Sequence, residues 1–459
     1  MMGHPALAES QLKLPLARAL ERDVPDNEYI NDYLAENERT ELLKFLTCGS
    51  VDDGKSTLIG RLLYDSNKVY EDHLNALIRD SRRLGHSSDE LEFALLADGL
   101  KAEQEQGITI DVAYRYFATS SRKYIIADCP GHSQYTKNMA TGASNCELAV
   151  ILIDAQNGVL DQTRRHSLIV DLLGISQVVV AINKMDLVGY NEQIYERIRA
   201  EYLDFSKDLG FAQTSFVPVA AKFGENVVQH STNMDWYAGD TIIELLERAP
   251  VSSDHGFDQF CMTVQRVHHP SEDFRGYSGT ITKGVIRPGD RVVVLPSGHE
   301  THVERIVTMD GDLETGFAPQ SITVTVTDQL SINRGDTLVS PGYKPNVSDA
   351  FLANVVWMAE KPLRANKSYL FKMGARQVTG QVSEFAHRLN VNTQAHELCE
   401  QLDANEIGLA RIQLQRPVVF EDYVDDRTMG SFIVIDRISN ETVGAGMICD
   451  QAESDPGSD

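Results

Sequence analysis

Between Glu41 and Arg248, short apolar runs alternate with stretches of helical periodicity. Leu42, Leu43, Phe45 and Leu46 predict a short buried strand ending at Thr47–Cys48, and Leu58, Ile59, Leu62 and Leu63 then recur at helical spacing. Val112–Phe117 and Tyr124–Ala127 read as paired strands joined by the polar turn Ser120–Lys123. Leu148–Asp154 (LAVILID) and Gln177–Ile182 (QVVVAI) are continuously apolar, as strands buried on both faces are. Thr163–Leu173 predicts a helix, and Ile194, Ile198, Tyr202, Phe205 and Leu209 mark the apolar face of another. Ser215–Val219 reads as the last strand and Asp240–Arg248 as a closing helix. Strands alternating with helices imply an α/β domain, a mostly parallel sheet with helices on both faces.

From about Asp254 the rhythm changes to β-branched residues and Gly/Pro turns, among them Pro288-Gly289-Asp290 and Asn333-Arg334-Gly335-Asp336. Ser321–Thr327 alternates, with Ile322, Val324 and Val326 expected on the buried face. Ala353–Met358, Ser368–Lys372, Gln377–Val382, Ala410–Leu414 and Ser431–Asp436 are further strand candidates. Two antiparallel β-barrels are expected, over 254–343 and 349–449, after an α/β domain over 41–250. Residues 1–40 read as a polar extension with one helix near Ile30–Leu34, and 450–459 as a polar, disordered tail. A long insertion separates the first helix from the second strand, roughly Tyr64 to Gln106. Leu74, Leu77, Ile78, Leu91, Phe93, Leu95 and Leu96 suggest one or two helices within it. Loops of that length are usually functional or mobile, although structural padding is the plainer reading.

Chemistry concentrates at the C-terminal ends of the predicted strands. Gly49, Ser50, Val51, Asp52, Asp53, Gly54, Lys55 and Ser56 spell Gly-x-x-x-x-Gly-Lys-Ser between a strand and a helix, the setting of a phosphate-binding loop. Its amides, with Thr57 just behind them, face phosphates at a helix N-terminus; Lys55 reaches the β- and γ-phosphates, and the Ser56 hydroxyl ligates Mg²⁺. Thr109, in Gly107-Ile108-Thr109-Ile110-Asp111, is placed to swing onto the metal and the γ-phosphate. Asp128, Cys129, Pro130, Gly131 and His132 follow a strand; the aspartate suits Mg²⁺ through water, and the Gly131 N–H suits the γ-phosphate. His132 has two readings, a helix-start residue or the group that orients the attacking water. Asn183, Lys184, Met185 and Asp186 end another strand, where a carboxylate can accept guanine N1–H and N2–H while the Lys184 stem covers the ring. Adenine leaves that carboxylate unpaired, a discrimination of roughly 10⁴-fold or more. Ala220, Ala221 and Lys222 end the last strand, with the Ala221 N–H available to guanine O6.

Composition narrows the field modestly. The chain has 459 residues, 42% hydrophobic and 24% charged, enough for two or three domains with ordinary cores. No apolar run approaches the ~18 residues that cross a bilayer, and the start does not resemble a signal peptide. Six cysteines lie scattered without a Cys-x-x-Cys pair, which points to a reducing cytoplasm rather than a zinc site or disulfide framework. A net charge of −25 disfavours nonspecific binding to nucleic acid.

Taken together, the order of these loops, the GITID stretch, the DCPGH loop and the two following barrels resemble the translation elongation factor family of GTPases, over about residues 41–450. Within it, CGSVDDGKSTLIGRLLYD, EQGITIDVAYRYF, NMATGAS, DQTRRHS, NKMDLV, KPLRANKSYLFKMGARQV and FIVIDRISNETVGAGMI are similar to the GTP-binding subunits of bacterial heterodimeric sulfate adenylyltransferases. That resemblance implies GTP and GDP as ligands, Mg²⁺ held by Ser56 and Thr109 with Asp128 in its outer shell, Lys55 on the phosphates, and His132 on the hydrolytic water. It also places Val51 as an apolar gate beside that histidine and gives Cys129 a packing role. The implied partner is a small catalytic adenylyltransferase subunit holding the ATP and sulfate site, in a heterodimer or a larger assembly serving sulfate assimilation and cysteine biosynthesis. Two alternatives stay open at this point. One is an elongation-factor-like GTPase that carries aminoacyl-tRNA, although translation factors usually have His where this loop has Ser50. The other is a bifunctional protein with a fused kinase, against which stands the single phosphate-loop motif.

Overall fold

The computed structural model describes residues 41–66, 111–251, 259–271 and 274–449. The N-terminal extension, Thr109, nearly all of the long insertion, and the C-terminal tail lie outside the described residues.

Six strands form the first sheet. They are β1 (Leu42–Gly49), β2 (Ala113–Ala118), β3 (Lys123–Asp128), β4 (Leu148–Asp154), β5 (Gln177–Asn183) and β6 (Gln213–Pro218). Their order is β2-β3-β1-β4-β5-β6, parallel throughout except for the β2–β3 hairpin. Among the described residues five α-helices cover the faces: α1 (Lys55–Asp65), α2 (Thr136–Ala143), α3 (Asp161–Leu172), α4 (Glu192–Ser206) and α5 (Ile242–Arg248). The apolar run of β4 serves both sides. Ala149, Ile151 and Ile153 join a core with residues of α2, α3 and α4, while Leu148, Val150 and Leu152 pack with residues of α1 and α5. Start signals are legible at two helices. Asn191 Oδ1 accepts the Gln193 N–H at 2.8 Å before α4, and Thr241 with Glu244 forms a capping box before α5. Helix α2, directly behind the Asp128–His132 loop, is only eight residues long and buries mostly small residues, Ala140, Gly142 and Ala143 beside Met139, so the sequence pattern passes over it.

The second domain contains β7 (Cys261–Thr263), β8 (Arg266–Ser271), β9 (Phe274–Lys283), β10 (Arg291–Leu295), β11 (His299–Thr308), β12 (Gly311–Leu313), β13 (Ser321–Val326) and β14 (Thr337–Val339). Pairing runs β10-β14-β7-β9-β13-β11 and returns to β10, closing a barrel of six strands. Ile322 and Val324 face its core as the alternation predicts, but Val326 is only partly covered and Thr325 is buried. A bulge between Val303 and Arg305 on the facing strand breaks the register there, and the Thr325 hydroxyl donates to Glu304 at 3.2 Å.

The third domain closes likewise, through β15 (Asn346–Trp357), β16 (Ser368–Met373), β17 (Arg376–Leu389), β18 (Ile407–Phe420), β19 (Ser431–Ile435) and β20 (Thr442–Ile448). Its order is β16-β19-β20-β15-β18-β17, with β17 back on β16. Strands β17 and β18 run well beyond the expected Gln377–Val382 and Ala410–Leu414. Bulges after Val382 and Phe385 shift which face each residue takes, so a single alternating run never spans the strand.

This last barrel docks on the first domain. Val356, Ile407, Tyr423 and Met447 share the core of α2 and α3. The Tyr423 hydroxyl donates to Leu173 O at 3.3 Å, and Arg427 donates to Gly174 O and, at 3.3 Å, to Cys146 O. Two of these acceptors end α3, where carbonyls lack intrahelical donors. The same segment reaches the middle barrel through an Asp426–Lys283 ion pair of 3.5 Å. No helix among the described residues is long and apolar enough to cross a membrane.

Candidate nucleotide site

Parallel-strand register gathers the predicted loops on one edge. Thr47 lies opposite Asp128, Gly49 opposite Leu152, and Asp154 opposite Asn183, all at the C-terminal ends of their strands. This is where ligands bind in open α/β sheets.

In the Gly49–Ser56 loop, Lys55 is buried and its ammonium donates to Gly49 O at 3.2 Å and Ser50 O at 2.7 Å. Burial holds its pKa below the ordinary lysine value, opposed by Asp53 and Asp128. The chain turns into α1 through Gly54, whose φ of 92° is left-handed; a Cβ there would also run into Asn183 Nδ2. The Asp53 carboxylate is buried and accepts the Ser50 N–H at 2.5 Å. Burial pushes the Asp53 pKa up to about 6, although Lys55 and the Ser50 amide pull it down. Val51 and Asp52 stand exposed at the loop tip, while Ser56 and Thr57 on the first turn of α1 are half-buried.

The Asp128–His132 loop closes over it. An ideal Cβ on Gly131 would lie 2.5 Å from Lys55 Nζ and 2.8 Å from Gly49 O, so only glycine lets the two loops touch. Asp128 is buried beside the Thr47 hydroxyl, 3.4 Å away. His132 is exposed; its Nδ1 accepts the Gln134 N–H at 3.1 Å, which leaves Nε2 as the outward-facing nitrogen. Cys129 is buried with its thiol 3.6 Å from Ala127 O and 3.9 Å from Met139 O, and burial raises its pKa well above the thiol range. It packs the loop onto α2. Pro130 is buried alongside it.

The base half is joined directly to the phosphate half. Asn183 Nδ2 donates to Asp53 O at 2.8 Å, while Asn183 Oδ1 accepts the Ala221 N–H at 3.0 Å. One buried side chain therefore ties three loops together. The Ala221 N–H, expected to face guanine O6, is spent on Asn183 here. Lys184 takes a left-handed φ of 62° and its ammonium meets Asp154 at 2.9 Å, which fixes the course of its stem. Met185 is wholly buried, its N–H on Val219 O at 3.1 Å, so it anchors the loop. Asp186 is half-buried and makes no side-chain hydrogen bond among the described residues. Ala220 is buried, whereas Lys222 is exposed with its ammonium 5.8 Å from the Phe223 ring centre.

Pattern reading overlooked two participants. His166 on α3 is fully buried with its Nε2 2.8 Å from Gln162 Nε2 and its Nδ1 unpartnered; burial, with Lys55 and Arg165 nearby, pushes its pKa down to about 3. Asp154, the last residue of an apolar strand, holds Lys184. The polar end of LAVILID was the available signal for it.

The oxygen donors at the strand ends suit Mg²⁺. Ser56 and Asp128 offer hard oxygen donors beside the phosphate loop, and no group of three His, Cys, Asp or Glu side chains that could hold a metal occurs among the described residues. Few protein oxygens, completed by phosphates and waters, are what Mg²⁺ prefers.

Comparison with known proteins agrees with this geometry. Residues 40–255 match the family model described as elongation factor Tu GTP binding domain, and residues 350–449 match the GTP-eEF1A C-terminal domain-like model. "Sulfate adenylyltransferase subunit 1" of Cellvibrio japonicus is 52% identical over 426 residues, covering 93% of this chain and 90% of that protein. Its namesake in Aeromonas salmonicida is 53% identical over 419 residues, 91% and 89% of the two chains. "Bifunctional enzyme NodQ" of a Rhizobium species is 52% identical over 419 residues, which cover 91% of this chain and 65% of that one.

Proposed function

The chain belongs to the family of sulfate adenylyltransferase subunit 1, with an elongation factor Tu-type GTP-binding domain, and we propose that it binds GTP·Mg²⁺ and hydrolyses it to drive a catalytic partner. That partner, a smaller adenylyltransferase subunit, makes adenosine 5′-phosphosulfate and pyrophosphate from ATP and sulfate for sulfate assimilation in the cytoplasm. The relatives' designation as subunit 1 supports a second subunit. The observation that carries the nucleotide reading is Asn183, which locks the phosphate loop and the base loop into one groove.

Within that groove the Lys55 ammonium exchanges its two carbonyl acceptors for phosphate oxygens. The Ser56 hydroxyl and, through water, Asp128 would hold Mg²⁺, which would neutralise charge developing on the phosphates. Gly131, packed against Lys55, offers its N–H to the γ-phosphate as the two loops close on it. Exposed His132 turns its Nε2 toward the attacking water, with Val51 as the apolar gate and Thr109 as the second metal ligand. Asp186 accepts guanine N1–H and N2–H. Movement of the Gly131 loop passes into α2, whose end is gripped by Arg427, and from the segment around Asp426 to the middle barrel.

Base recognition provides the test. Asp186→Asn removes a charged double acceptor, so GTP affinity should fall on the order of a hundredfold, while xanthosine triphosphate, which offers the complementary acceptor, binds better than to the parent. Unchanged GTP affinity in that variant would remove Asp186 from the base pocket.

A further inference from the structure

Within the phosphate loop stands a carboxylate that phosphate chemistry does not call for. Asp53 is 2% exposed, and its Oδ2 accepts the Ser50 N–H at 2.5 Å. Three other charged groups bear on it: Lys55 from α1, Asp154 from the end of β4, and Lys184 from the loop after β5. Lys184 is already matched by Asp154 at 2.9 Å, so Lys55 is the cation left for Asp53 to share. Lys55 is also the cation the phosphates need. Anionic phosphates held by the amides of this same loop meet a buried negative charge and a partly neutralised lysine.

We propose that Asp53 is a charge brake on this nucleotide site: its hydrogen bond to Ser50 keeps the loop in shape, while its buried negative charge lowers the affinity for GDP and GTP and hastens GDP release. The inference rests on the reading of this groove as a guanine-nucleotide site. The two roles of the side chain separate by substitution. Asparagine keeps an oxygen that accepts the Ser50 N–H but drops the charge; alanine drops both. A unit charge several ångströms from phosphate at protein-like screening changes affinity on the order of tenfold or more. Nucleotide binding must in turn favour the protonated carboxyl, since linkage is reciprocal. Burial already pushes the Asp53 pKa up to about 6, so GDP binding near neutral pH takes up part of a proton. Asp53 is thus a positioning and tuning residue that acts through Lys55 and the loop.

The experiment is titration calorimetry with Mg·GDP on the full chain and its Asp53→Asn and Asp53→Ala variants, each in two buffers of different ionisation enthalpy between pH 6 and 8. Asp53→Asn should bind GDP at least tenfold tighter and release it correspondingly more slowly, and Asp53→Ala should bind more weakly than Asp53→Asn. The parent should take up part of a proton that Asp53→Asn does not, and its disadvantage against that variant should grow as pH rises. Equal or weaker GDP binding by Asp53→Asn, with matching proton uptake, would leave Asp53 a structural brace and overturn the inference. If Asp53→Ala does not fold, the comparison of the parent with Asp53→Asn, which keeps the Ser50 hydrogen bond, still decides the question. Absence of GDP binding by the parent would overturn the nucleotide-site reading itself, and the brake with it.

Discussion

Replacing Gly131 by alanine tests the contact on which the switch depends. The added methyl would lie 2.5 Å from Lys55 Nζ and 2.8 Å from Gly49 O, where ordinary contacts begin at 3.4 Å. Something must withdraw by about 0.6–0.9 Å. The Gly49 carbonyl is held where β1 pairs with β4, so either the lysine leaves its two carbonyls or the Asp128–His132 loop lifts. Overpacking of this kind costs about 1–3 kcal/mol, equivalent to roughly 5- to 150-fold in an equilibrium constant. The cost falls on states in which the two loops are in contact. GDP binding, which uses the loop amides and the base pocket, should therefore change by only a few-fold. GTP turnover, which needs Gly131 and His132 over the γ-phosphate, should fall at least tenfold. Stopped-flow binding of a fluorescent GDP analogue and phosphate-release kinetics read the two effects separately. Turnover at the parent's rate would show that the loop does not have to close on Lys55, and would refute the switch reasoning.

Other outcomes follow from the same geometry. His132→Ala should cut GTP hydrolysis by roughly 10²-fold or more with GTP affinity nearly unchanged; equal loss of both in a binding and turnover assay would make the residue structural. His166, neutral when folded because its pKa is pushed down to about 3, takes a proton only in the unfolded chain once pH drops below the usual 6.5. Stability is therefore lost as pH falls from 6.5 toward 3, by about 2 kcal/mol at pH 5. Asp53, raised to about 6, contributes with the opposite sign between pH 6 and 3.8, so the informative quantity is the difference between parent and His166→Asn in urea unfolding at pH 7 and pH 5. Parallel losses in the two proteins would show that His166 is not the titrating group.

Much of the site was legible because phosphate, metal and guanine each demand particular residue types at short spacing. Gly49–Ser56, Asp128–His132 and Asn183–Asp186 can be read locally, as can the strands that aim them. The double use of Asn183 is less visible, since its partners Asp53 and Ala221 lie 130 and 38 residues away. The segment Glu421–Gly430 leaves still less trace. Tyr423 and Arg427 reach carbonyls some 250 residues earlier, and contacts of that kind follow neither a helical nor a strand period. Long strands β17 and β18 were shortened in the pattern reading because bulges reset their alternation. Asp53 is legible as a member of the phosphate loop, but its burial is a property of the fold and not of its neighbours in sequence.

The central claim is that hydrolysis of GTP on this chain drives adenylyl transfer on a partner. With the catalytic subunit, ATP and sulfate present, GTP hydrolysis and formation of adenosine 5′-phosphosulfate should be followed together over many turnovers, with pyrophosphate left to accumulate. The account predicts that the partner with ATP accelerates GTP hydrolysis, and that product runs past the level reached with a non-hydrolysable GTP analogue. Equal product with GTP and with the analogue would contradict energy coupling, leaving this chain an activator by binding alone.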